Sequence, residues 1–102
     1  MLANAVPKPD PTETNEDARA FIRRCACWRC RVMTGALVYG CEAAHVRAKR
    51  NNGDLANLIP LCKKCHRFQH QIGIQSFERN VGESIRPAAA VYWQAFLVGR
   101  VM

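Results

Sequence analysis

A small α+β fold is the class this sequence predicts, and three observations predict it. Glycine and proline cut the chain into short segments that alternate between helical and extended patterns. Two Cys-x-x-Cys pairs, Cys27–Cys30 and Cys62–Cys65, frame a stretch rich in β-branched and aromatic residues. The length of 102 residues suits one domain, and a composition 49% apolar and 23% charged is that of a globular chain.

The elements follow in order. Residues 1–14 contain Pro7, Pro9 and Pro11, which no helix accommodates at alternate positions, so a flexible, acidic, proline-rich arm is expected there. Thr14 and Asp17 have the spacing of a capping box and open a helix through Arg24, with Ala18, Phe21 and Ile22 on one face. Residues 25–30 (CACWRC) read as a turn. Residues 31–46, punctuated by Gly35 and Gly40, read as a β-hairpin with strands at 37–39 and 41–46. A polar, basic loop fills 47–54. Residues 55–62 read as an apolar connector interrupted by Pro60. Helices are expected at 63–73 and 74–82, each stopped by glycine, and at 88–100, opened by Pro87. Phe21, Trp28, Phe68, Phe77, Tyr92, Trp93, Phe96 and Leu97 are the expected aromatic and aliphatic packing residues.

Charge is unevenly spread. Residues 1–17 carry one cation and four anions, a net of −3, and residues 18–102 carry 14 cations and four anions, a net of +10. A body this basic has polyanions as its natural partners. No run of about 18 apolar residues occurs, so no membrane span is expected. The first residues lack a basic, apolar leader pattern, so a cytoplasmic location is expected.

The cysteines are best read as a metal staple. Two thiolates three residues apart on a tight turn reach one tetrahedral ion at about 2.3 Å each, and two such pairs complete a four-sulfur zinc site. Cys27, Cys30, Cys62 and Cys65 are the expected ligands; the 31 residues between the pairs leave room for a hairpin and a loop. A core of about 85 residues is small enough to need such a staple. Two disulfides or unrelated buried thiols are the alternatives, and disulfides require an oxidising compartment for which no signal is seen. Cys25 and Cys41 are left over and read as small buried residues.

His66 and His70 stand at i and i+4 on an expected helix, so both imidazoles leave one face about a turn apart, the geometry of a two-histidine clamp. His45 precedes the basic loop. Taken in order, Cys-x-x-Cys, then EAAHV around His45, then Asn57-Leu58, then the run from Pro60 to His66 resemble the HNH endonucleases over about residues 25–75. The spacing of His66, His70 and Gly73, followed by Phe77-Glu78, further resembles the phage and prophage group related to the Ref recombination nuclease.

That resemblance implies a ββα-metal core, stapled by zinc, within one nuclease domain spanning 15–102, with C-terminal helices over 74–100. It implies that His45 is the general base, that Asn57 orients it, and that His66 and His70 hold a catalytic divalent cation: Mg²⁺, Mn²⁺, Ni²⁺ or Zn²⁺. Many HNH enzymes carry an acidic residue or histidine immediately before the base, where this chain has Ala44; Glu42, on the same strand face, is the candidate ligand in its place. Arg47, Lys49, Arg50, Lys63, Lys64 and Arg67 are the candidate phosphate contacts. The implied activity is phosphodiester hydrolysis in DNA with weak sequence preference, with a recombination protein as a candidate partner. The competing reading is a non-catalytic, zinc-stabilised module that binds nucleic acid. Oligomeric state is left open by the sequence.

Overall fold

The structure, a computed structural model, describes residues 15–45 and 57–101. It is a small, mostly helical α+β fold with a two-stranded sheet. The elements are α1 (Asn15–Arg24), α2 (Trp28–Thr34), β1 (Glu42–His45), β2 (Leu58–Leu61), α3 (Lys63–Ile72), α4 (Ile74–Val81) and α5 (Ile85–Val101). Among the described residues, no helix is long and apolar enough to cross a membrane.

The expected hairpin over 31–46 is replaced by a different pairing. Residues 28–34 form α2, because Cys27 turns the chain in as its N-cap and Gly35 ends it in the left-handed region at φ 77°, its N–H bonded to Arg31 O at 2.8 Å. That backbone conformation is cheap only for glycine, so Gly35 is a helix C-cap rather than a hairpin turn. Residues 37–39 form no strand. β1 instead pairs antiparallel with β2, in the register Glu42↔Leu61, Ala43↔Pro60, Ala44↔Ile59 and His45↔Leu58. The segment expected as a connector is therefore a strand. Pro60 is tolerated because, among the described residues, β2 has a neighbour on only one side and a proline lacks only the donor.

β2 is buried along its whole length, and its residues divide between two clusters. Ile59 and Leu61 pack with Trp28, Cys27, Cys65, Phe77, Val81 and the first turns of α5. Leu58 packs with Ala18 and Ile22 of α1 and with Trp93 and Phe96 of α5. This is the period-2 alternation of a strand covered on both faces, which hid its character from a simple polar–apolar pattern. α1 and α5 lie against the sheet through one cluster, and α2 and α4 join it through the other.

α5 begins at Ile85, three residues before the expected start. The Ile85 N–H donates to Glu78 Oε2 at 2.8 Å, so a side chain on α4 caps it. Pro87 still falls in the first turn, where its missing N–H costs nothing. Thr14, half of the expected capping box, and the basic loop lie outside the described residues.

Candidate functional site

Both cysteine pairs occupy the same place on two different helices. Cys27 is the N-cap of α2 and Cys62 the N-cap of α3. Cys30 and Cys65 therefore fall three residues on, in each first turn. An extended N-cap followed by a helical turn swings both side chains of a pair to the same side, which is why this spacing grips one ion. The four Sγ atoms lie within 4.8 Å of one another. Cys30 Sγ and Cys65 Sγ are 3.8 Å apart, the separation of about 3.8 Å that zinc–sulfur bonds of 2.3 Å give across a tetrahedron. Cys27 and Cys65 are buried, and all six cysteines are free thiols. The donor set and its geometry fit one structural zinc ion, and no pair has closed into a disulfide.

The electrostatics fit the same occupant. Burial and the neighbouring thiols push Cys30 and Cys65 upward, while the Arg29 guanidinium opposes this at Cys65. Cys62 goes the other way: burial raises it, but the Cys65 N–H and the surrounding thiols donate to it and hold it below the ordinary cysteine value. Four crowded sulfurs cannot all ionise unless a cation joins them, so metal binding releases protons. The N-terminal ends of α2 and α3 favour the negative charge.

Arg29, inside the first Cys-x-x-Cys pair, carries a role that sequence reading missed. Its Nη1 donates to Cys65 Sγ at 3.4 Å. Its Nε and Nη2 grip Asn80 Oδ1 at 3.1 and 2.9 Å, and its guanidinium lies 4.6 Å from the Phe68 ring centroid. One cation thus ties α2 to α4 and offsets part of the thiolate charge. A single arginine between two cysteines gives no sequence signal for this; only the approach of α4 does.

A second constellation stands on α3. The Glu42 carboxylate accepts a hydrogen bond from His66 Nδ1 at 2.8 Å. His66 Nε2 faces His70 Nε2 at 3.1 Å, and the two rings are 4.7 Å apart. The bond to His66, opposed by a small burial cost and helped by Lys63 and Arg67, holds the Glu42 carboxyl below its ordinary value. An ionised Glu42 needs a donor, so it keeps the proton of neutral His66 on Nδ1 and leaves the Nε2 lone pair facing His70. Two nitrogens on one tetrahedral ion stand about 3.4 Å apart, so the Nε2 pair could hold a divalent cation with small movement. In this arrangement Glu42 stands behind His66 and orients it, on the nitrogen remote from the pair, rather than standing beside the pair as a third ligand.

His45 ends β1, and its backbone oxygen accepts from Gln69 Nε2 at 3.0 Å. Gln69 is 3% exposed, the buried polar side chain of this helix, and it ties the strand end to the turn between His66 and His70. Sequence reading passed over Gln69 because a glutamine between two histidines looks like a solvated position. Asn57 precedes Leu58, the cross-strand partner of His45, so the two candidate residues share one end of the ribbon. Lys63, Lys64 and Arg67 are exposed on α3. Arg47, Lys49 and Arg50 lie outside the described residues. Ala44 is fully buried against the zinc-side cluster.

No family model matches this chain, and no curated protein or solved structure does.

Proposed function

We propose that this chain is a metal-dependent endonuclease of the HNH type that hydrolyses phosphodiester bonds in DNA. The observation that carries the reading is the linked set Glu42–His66–His70, with two imidazole nitrogens 3.1 Å apart and a carboxylate fixing the ring of one of them. A carboxylate–histidine pair aimed at a second histidine is what a divalent-cation site needs, and nothing in core packing requires it. The site stands on the helix that the cysteine cluster anchors, beside a strand ending in a further histidine.

On this reading His66 and His70 would hold the cation, whose chemistry is to offset the charge that develops on the phosphate and the leaving oxygen. The protein's own groups do the rest. His45 takes the proton from the attacking water, a task an imidazole suits. Asn57, at the same end of the ribbon, orients it. Lys63 and Lys64 occupy the first turn of α3, which contains no acidic residue. Two cations at the positive end of a helix are disfavoured unless anions meet them, so phosphates of the substrate supply the missing charge alongside the thiolates. The zinc cluster then serves as the staple of a ββα-metal core formed by β1, β2 and α3.

Ala44 favours a second reading, a zinc-stabilised module that binds nucleic acid without cutting it. Its side chain offers no ligand, and no other residue beside the histidine pair replaces it among the described residues. Nicking of supercoiled plasmid, with Mg²⁺, Mn²⁺ or Ni²⁺ added, separates the two. Wild type is expected to nick and His45→Ala, at matched zinc content, to lose nicking. Salt-sensitive DNA binding with no cleavage by either protein would select the binding module.

A further inference from the structure

A cavity of about 650 Å³ opens on the side of the molecule formed by α1, α2 and α5. Neither the cysteine cluster nor Glu42, His45, His66 or His70 lines it. Its volume falls within the range of roughly 300–1,000 Å³ typical of ligand sites. Its wall combines three kinds of group. Arg24 and Arg31 supply two guanidinium cations. Tyr39, 63% exposed, and Val91, 67% exposed, supply apolar surface that nothing in the fold covers. Glu83 supplies one carboxylate acceptor.

The parts are arranged rather than scattered. Tyr92 is half-buried on α5 and lines the cavity together with Arg31, whose cation opposes the rise that burial imposes on the phenol. Tyr39 sits between Gly35 and Gly40, both in the left-handed region, in a segment with no regular structure. A tyrosine there adds no core packing. A phenol ring exposed beside two arginines is the combination that single-stranded nucleic acid uses: the base stacks on the ring, and the flanking phosphates pair with the cations. The same ligand must also meet the ring face and the Glu83 carboxylate. A base satisfies both, because its exocyclic amine can donate to Glu83.

We infer that this cavity is a binding site for a nucleotide of single-stranded DNA, with its base on Tyr39 and its phosphates on Arg24 and Arg31. The inference rests on the proposed function only for the class of substrate; it assigns a second place for that substrate, away from the histidine pair. A strand held there would extend the footprint beyond the reacting phosphate and would favour DNA with an unpaired region.

The test is fluorescence anisotropy with a labelled oligodeoxycytidylate hexamer on the zinc-loaded protein, with no other divalent cation added. Wild type is expected to bind. Tyr39→Ala is expected to weaken binding about tenfold, the scale of one lost base–aromatic stack, and Tyr39→Phe to restore it. Arg31→Gln is expected to lower affinity and reduce the slope of log K against log salt by about 0.7, one phosphate contact on a single strand. Tyr39 and Arg31 are both exposed, so thermal melting and zinc content should stay at wild-type values and exclude a folding defect.

Three results would overturn the inference: no hexamer binding by wild type; unchanged affinity in Tyr39→Ala and Arg31→Gln; or tighter binding of a synthetic peptide of residues 1–14 than of the hexamer. The readout contains no hydrolysis, so a negative plasmid assay leaves it standing, and its own failure leaves the plasmid assay standing.

Discussion

Glu42 Oε1 and His66 Nδ1 are joined at 2.8 Å from different elements, the first residue of β1 and the fourth residue of α3. The bond decides which nitrogen of His66 is free. In the neutral ring, a proton held on Nδ1 leaves the lone pair on Nε2, facing His70. A strand residue thereby sets the chemistry of a helix residue 24 positions away.

If His66 and His70 hold the proposed cation, removing that control should weaken its binding without removing a ligand. Glu42→Ala is expected to lower the affinity of the zinc-loaded protein for one further Ni²⁺ or Co²⁺ by about 10–100-fold. Titration calorimetry measures it directly. His70→Ala should abolish the same binding event, because it removes a nitrogen of the pair itself.

Zinc removal should unfold the chain. A four-cysteine site contributes on the order of 10 kcal/mol of binding free energy, more than the whole stability of many domains this size. Chelation at neutral pH is expected to abolish the cooperative thermal transition. Cys27→Ser and Cys65→Ser are expected to lose zinc, while Cys25→Ala retains one ion per chain. Cys41 is 5% exposed, and burial pushes its thiol above the ordinary cysteine value, so in the folded protein it should resist alkylation at pH 8.

Arg29 should be irreplaceable by lysine. It makes three hydrogen bonds and lies over an aromatic ring. Arg29→Ala is expected to cost about 1–3 kcal/mol in urea unfolding and to speed zinc release to a chelator. Arg29→Lys keeps the charge but not the fork that grips Asn80 and Cys65 together, so it should recover little of either.

Gln69→Leu should act at His45 from a distance. It leaves the His45 carbonyl without its amide donor in a site only 3% exposed, at a cost of about 1–3 kcal/mol. If the proposed base is His45, nicking should fall further than stability does, read as a lower rate at a temperature where both proteins are fully folded.

Phe77 should be the most sensitive of the aromatic positions. It is fully buried and meets Trp28 at 6.4 Å and Phe68 at 6.1 Å between ring centroids. Phe77→Ala is expected to cost about 3–5 kcal/mol, measured by denaturant midpoint, and to leave little folded protein at 37 °C.

Several features were legible in the residues alone because their physics is local. The cysteine spacing predicts a shared ion from the reach of two side chains on one turn, and the four sulfurs converge as that spacing requires. His66 and His70 face one another because residues four apart share a helix face whatever surrounds the helix. Gly73 and Gly82 end their helices where expected. The small α+β class followed from the same punctuation.

Tertiary structure decided the rest, where the deciding interaction joins residues far apart in the chain. Val32 and Met33 favour strand or helix about equally in isolation; Cys27 as N-cap, with Trp28 buried under α4, made residues 28–34 helical. Pro60 argues against a strand until a single neighbouring strand is known to lie beside it. Glu42 reads as a ligand from its strand face, and only the position of α3 places it behind His66 instead. Local rules set which residues could meet a metal, and the packing of helices against the sheet set which side of each ring they would meet it from.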